Sequence, residues 1–350
     1  MKPVKLAPNL VDHFYAGGGK IASLRGVETA SDHQPEEWIA ATVARADAWP
    51  IGLAHTADGE VLRELVADDP RAWVGADVPA DGDTGVLFKL LDAGQRLPVH
   101  VHPDRRFAAA HLDCPYGKTE AWFVLDASED AAVYLGWRDA VDPDELARRR
   151  DAQDGAWMLE RMHRIDVTQG DGIVVPAGTV HAIGAGVFVA EVQEPTDLSI
   201  VLEWSVTTSG REDSHLGLGF DTVMPAVSHE RLDTDHLASL RTHVDPATRA
   251  DTPQSCLAPE ADPFFRLHLA TPTGRSTVRV EAGFAAAIVL HGRGTLEWET
   301  SSIDIGPGDA LAVPASLGPW TIAGDASLLV ARPGVGWPET VHGPDHGDVS

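Results

Sequence analysis

Short apolar runs separated by turn residues dominate the first half of the chain: VLFKLLDAG, AWFVLDA, AAVYLGW, DGIVVPAG, GVFVAEVQ and LSIVLEWSV. Runs of that length, rich in valine, leucine and aromatic residues, predict strands. Two stretches break the pattern. Residues 59 to 67 (GEVLRELVA) space their apolar groups at helical intervals. Residues 141 to 150 (VDPDELARRR) offer Asp142 as N-cap, Pro143 at the first helical position and arginines at the negative C-terminal end. From about Ser205 to Pro263 the chain turns polar and irregular, which predicts a connection with one short helix. Strands then resume in FFRLHLATP, STVRVEAG, AAAIVLHGRG, TLEWET, SSIDIGPGD, ALAVPA and TIAGDASLLVARP.

The two halves echo one another. GDGIVVPAGTVHAI (170 to 183) and GDALAVPASLGPWTI (308 to 322) share a Gly-Asp turn, an apolar strand and a Pro-Ala turn. Pro319 falls where His181 stands in the first copy, and no His-x-His precedes it, so the second copy is expected to be structural. A chain of 350 residues suits two cores. The expected division is a metal-binding domain at 1–240 with helical insertions, followed by a metal-free domain at 241–350 that ends in a disordered tail.

Composition narrows the partners. A formal net charge of −26 argues against nucleic acid and anionic membranes, since either polyanion would be repelled over most of the surface. Lysine is scarce, with only five in the chain. Two cysteines, Cys114 and Cys256, are too few for a disulfide framework, and MKPVKLAPNL lacks the apolar stretch of a secretion signal, so a cytoplasmic location is expected. No apolar run approaches the roughly 20 residues that span a bilayer as a helix.

The chemistry begins at His100-Val101-His102. Residues two apart on a strand point to one face, so both imidazoles can enter a barrel lumen and approach one ion. Gly94 followed, after five intervening residues, by His100-Val101-His102 resembles the first cupin motif; Gly170 to His181, with Pro176 and Gly178, resembles the second. The resemblance implies a mainly β double cupin, two jelly-roll barrels with a small helical insertion. It also implies a metal site of His100, His102, Glu120 and His181. Three imidazoles and a carboxylate suit a first-row divalent ion, zinc first, with manganese, iron and nickel as alternatives.

A narrower likeness follows from LFKLLDAGQRLPVHVHPD (87 to 104), Gly117-Lys118-Thr119-Glu120, VPAGTVHAIG (175 to 184) and Glu191-Val192-Gln193. In order and spacing these resemble the type I mannose-6-phosphate isomerases. Weaker likeness starts near Gly17-Gly18-Gly19-Lys20 and Glu36-Glu37-Trp38 and reaches Gly308 to Gly318 in the second half. His102, Glu120 and His181 match that family's metal ligands, and Lys118 matches its pocket lysine. Two positions depart. His100 stands where the family usually has Gln, and Val201 stands where it has a catalytic Arg, work that a valine cannot do. Arg96, Arg105 and Arg106 are candidates to supply that charge from elsewhere.

The resemblance implies a metal-dependent aldose-ketose isomerase acting on a small-molecule sugar or sugar phosphate, with an unphosphorylated or differently substituted sugar as a competitor to mannose 6-phosphate. Lys118 is expected to orient or protonate a sugar oxygen, and Glu194 and Glu203 are the candidate proton shuttles. Two other readings share the ligand set: an iron-dependent cupin dioxygenase and a non-catalytic sugar-binding cupin.

Overall fold

The computed structural model describes residues 1–342 apart from 47, 77, 80 and 275. The tail expected to be disordered lies, from residue 343 on, outside the described residues. Strands pair into four sheets that face one another two by two. The first pair sets a seven-stranded sheet, ordered Arg241–His243, Asp171–Val175, Glu120–Ala127, Val187–Gln193, Leu87–Asp92, Glu36–Ile39 and Leu10–Val11, against a five-stranded one. The latter runs Ile200–Val201, His100–Val101, His181–Ile183, Ala132–Trp137 and Met162–Asp166. The second pair holds six and four strands, and all the ladders within the four sheets are antiparallel. The mainly β double cupin expected from the motifs is the architecture observed.

The chain does not pass from one barrel to the other once. Val4–Leu6 pairs with Ala310–Val313 and so belongs to the second barrel's sheet, whereas Arg241–His243 pairs with Asp171–Val175 in the first. Each barrel therefore completes a sheet with a strand remote in sequence. Periodicity 2 then divides labour along the strands. In Ala285–His291, Ala285, Ala287 and Val289 enter the second barrel's interior, while Ala286 and Ile288 join a core shared between the barrels. The same alternation in Leu87–Asp92 puts Phe88 and Leu90 into that shared core and leaves Lys89 on the lumen side.

The two lumens differ in kind. The second is filled by Leu296, Leu311, Trp320, Ile322, Leu328 and their apolar neighbours, a packed core with no room for chemistry. The first buries Glu36, Lys89, Lys118, Glu120, Glu191 and three histidines. Its outer face is covered by helices Pro143–Asp151 and Gly155–Arg161, which pack Leu146 and Met158 against Val101, Ala182 and Ile200. The helix expected from VDPDELARRR forms with the expected cap: Asp142 accepts from the Glu145 amide at 2.8 Å. An unexpected helix, Arg105–Leu112, fills the long segment between His102 and Glu120, capped by Asp104. The irregular 205–263 stretch holds two short α-helices, Phe220–Val223 and Thr234–Ser239, rather than one.

The motif glycines have separate physical reasons. Gly170 and Gly308 turn at φ +95° and +80°, the left-handed region. Gly94 instead lies against the backbone of Gly17, where an added Cβ would come within 2.2 Å of the carbonyl oxygen. Gly94→Ala should therefore force the strand beside His100 apart and lower stability by about 1–3 kcal/mol in chemical denaturation. An unchanged midpoint would show that this backbone contact is not needed.

Candidate metal centre and active-site cavity

Two short, paired strand segments bring the imidazoles together, His100 and His102 from one and His181 from the other. His181 pairs directly with His100 across the five-stranded sheet, and His100 pairs on its other side with Val201. His100 and His181 ring centroids are 4.1 Å apart, with His102 at 5.0 and 4.9 Å from them. Their ligand nitrogens all lie within 4.8 Å of one another.

Each ring is fixed through its other nitrogen. His100 Nδ1 lies 2.9 Å from the Pro98 carbonyl, His102 Nδ1 2.7 Å from Leu198 and His181 Nδ1 2.8 Å from Thr179. A carbonyl only accepts, so these contacts put the proton on Nδ1 and leave each Nε2 as the lone-pair-bearing nitrogen. His181 Nε2 is buried with no hydrogen-bond partner. Burial, reinforced by the neighbouring imidazoles, holds His100 well below its ordinary pKa; burial and the Lys118 ammonium hold His102 at about 3. Converging imidazole lone pairs are what a divalent cation requires, so the residues present fit a metal ion.

Glu120 completes the set from the facing sheet. Its carboxylate lies 3.0 Å from His102 Nε2 and 3.3 Å from His181 Nε2, and Trp122 Nε1 donates to it at 3.1 Å. Burial works to raise its pKa, but Lys118 and His102 outweigh that and keep the carboxyl well below the usual range. Lys118 Nζ donates to Glu120 at 2.7 Å and to His102 Nε2 at 2.8 Å, so a cation already stands between two of the four groups.

The cluster forms one wall of a cavity of about 820 Å³ that opens between the two sheets. Across it, Lys89 sits 3.3 Å from Glu36 and 3.4 Å from Glu191. Tyr15 donates to Glu36, as does Trp38 Nε1 at 2.7 Å. The environments pull these carboxylates apart. Burial works to raise Glu36, but His13 and Lys89 outweigh it and hold the carboxyl well below its ordinary value, whereas burial and the charge of Glu120 push Glu191 up to about 7.

Glu194 and Glu203 are placed differently from the other expected site residues. Glu194 accepts from Arg105 Nε at 2.6 Å and from the Thr119 amide at 2.9 Å. Glu203 is held by two hydrogen bonds from Arg96, at 2.8 and 2.7 Å, and by the Val99 amide. Both carboxylates are buried in structural pairs and neither lines the cavity. Those pairs also occupy Arg96 and Arg105, while Arg106 is exposed; none of the three reaches the cavity lining. Val201 does line it. Lys89, Glu191, Glu36 and Tyr15 had no expected role, although a single charge inside an otherwise apolar strand, as in LFKLLD and VFVAEVQ, is a signal that it faces something other than a core.

Known proteins share both the sequence pattern and the fold. A family model described as mannose-6-phosphate isomerase, cupin domain, matches residues 256–333, the second barrel. A probable mannose-6-phosphate isomerase of Bacillus subtilis, GmuF, is 25% identical over 95% of this chain and 99% of its own length. The mannose-6-phosphate isomerase of Streptococcus mutans is 28% identical over 90% of this chain and 94% of its own. The crystal structure of the mannose 6-phosphate isomerase from Bacillus subtilis superposes with a TM-score of 0.72 at 24% identity, covering 95% of this chain and all of that one. With its two-barrel fold and relatives that run nearly end to end with it, the chain is similar in sequence and fold to the mannose-6-phosphate isomerases.

Proposed function

We propose that the protein is a metal-dependent aldose-ketose isomerase, with His100, His102, Glu120 and His181 as ligands of one divalent ion, zinc in the first instance. The observation that carries this reading is the convergence of three imidazole Nε2 atoms and Glu120 at the wall of a cavity that also holds a second, differently tuned carboxylate. The ion, when bound, would supply a Lewis acid for the sugar's carbonyl and adjacent hydroxyl.

Interconversion moves a proton between C1 and C2 of the sugar, which needs a base close to neutrality and donors for the oxygens. Glu191, rather than Glu194 or Glu203, is the carboxylate suited to that work. It lines the cavity, and a pKa near 7 lets one group both take and return a proton. Glu120, kept ionised, is suited to ligation instead. The tuning of two carboxylates in opposite directions within one site separates acid–base work from charge work.

Lys89 and Lys118 divide the remaining tasks. Lys89 is held between Glu36 and Glu191, and although burial opposes it, those two carboxylates raise its pKa, so it stays an ammonium beside the base. Lys118 is within reach of Glu120 and lines the same cavity, where its Nζ can donate to a sugar oxygen. The enclosing sheets shield the reacting carbons from bulk water, which strengthens each of these charge contacts.

Purified protein stripped of metal and supplied with single divalent ions should interconvert aldoses and ketoses only when an ion is returned. Loss of nothing on chelation, or a strict need for oxygen, would overturn the reading in favour of another cupin chemistry. Glu191→Gln should lower kcat by about 10²–10⁴-fold while metal content is retained. The same variant should remove the acid limb of the kcat/KM profile, which falls as pH drops through about 7 or below, because a bound cation lowers the Glu191 pKa further. Glu194→Gln and Glu203→Gln should keep that limb and instead lose stability, since each removes the buried carboxylate that pairs with a half-buried arginine.

A further inference from the structure

The approach to the cavity is acidic. Asp12, Asp197, Glu212 and Asp213 line its mouth, three of them exposed and Asp197 half-buried. Deeper in, Glu36, Glu120 and Glu191 line the same space. Against these seven carboxylates stand three side-chain cations, Arg45, Lys89 and Lys118. Both lysines are committed to carboxylates at 2.7 to 3.4 Å, and Arg45 Nη1 donates to the Asp12 carbonyl. A divalent ion at the histidines would still leave the described lining with more negative groups than positive.

A phosphate monoester carries close to two negative charges at pH 7 and is recognised by arginine forks, ammonium groups or bare amides. Neither Arg96, Arg105 nor Arg106 lines this cavity, and the position facing His100 is Val201. What the mouth does offer suits an uncharged polyol: carboxylate oxygens that accept from sugar hydroxyls, and the hydroxyls of Ser199, Thr208 and Ser209 that both donate and accept.

We infer that the substrate is an uncharged aldose or ketose and that the acidic mouth discriminates against the corresponding sugar 6-phosphate. The inference takes its chemistry from the isomerase reading above, but its charge argument concerns binding and can be tested without turnover. Repulsion of this kind acts over a Debye length, so it is strongest at low ionic strength and weakens with salt.

The test uses the full-length, metal-loaded protein in two arms. In the first, initial rates are compared for free mannose and fructose and for their 6-phosphates, at low ionic strength and in concentrated sodium chloride. The free sugars should show kcat/KM roughly tenfold or more above the phosphates at low salt, a gap that narrows on adding salt. Replacing Glu212 and Asp213 together by lysine should raise kcat/KM for the phosphates severalfold. In the second arm, calorimetry compares mannitol and glucitol with their 6-phosphates, none of which can be isomerised. Tighter binding of the neutral alditols supports the inference even where no sugar is converted, an outcome that would overturn only the isomerase reading. Preference for a 6-phosphate in either arm, or no binding of any alditol together with no turnover, overturns the inference.

Discussion

An ionised side chain sealed inside a β-barrel costs several kcal/mol unless an opposite charge and hydrogen bonds meet it. The first barrel encloses Glu36, Lys89, Lys118, Glu120 and Glu191 together, and it can do so because they alternate in sign across the lumen. Glu36 and Glu191 flank Lys89, while Glu120 meets Lys118 and two imidazoles. The pairing is tight around Glu36 and Glu120 and looser around Glu191, which is why one carboxylate of the lumen is left close to neutrality. Stability thus constrains where reactivity can sit.

The second barrel shows what the same fold does without that constraint. It repeats the Gly-Asp turn and apolar strand, yet Leu311 and Trp320 fill the volume that the first barrel leaves to His181 and its partners. A packed lumen of this kind supplies rigidity, and the core shared between the barrels transmits it to the back of the strands carrying Lys89 and Glu191. The N-terminal strand Val4–Leu6 and the strand Arg241–His243 tie the two barrels together by crossing in opposite directions. The precise placement of groups on Leu87–Asp92 and Val187–Gln193 therefore rests on both halves of the chain.

Much of this was legible in the sequence because period-2 patterning and the two motif repeats are local features. His100 and His102 could be placed on one face because they stand two apart, the resemblance to the cupin motifs added Glu120 and His181, and Asp142 and Pro143 located their helix. Glu194 and Glu203 illustrate the limit. Nothing local reveals that Arg105 and Arg96, 89 and 107 residues away, capture those carboxylates. The strand around Glu191 shows no local sign of its role, because its distinction is electrostatic and depends on Glu120 and Lys89 arriving from other strands. The helix Arg105–Leu112 was likewise hidden, its RRFAAAHL text carrying only a weak apolar stripe.

The account stands on four side chains, His100 and His102 from one strand segment and Glu120 and His181 from two others, meeting one cation. Crystals of the metal-loaded protein, measured on both sides of the metal's absorption edge, should show a single anomalous peak bounded by Nε2 of His100, His102 and His181 and a carboxylate oxygen of Glu120, at about 2.0–2.2 Å. A peak elsewhere in the molecule, or an ion bound without the three imidazoles, would contradict it.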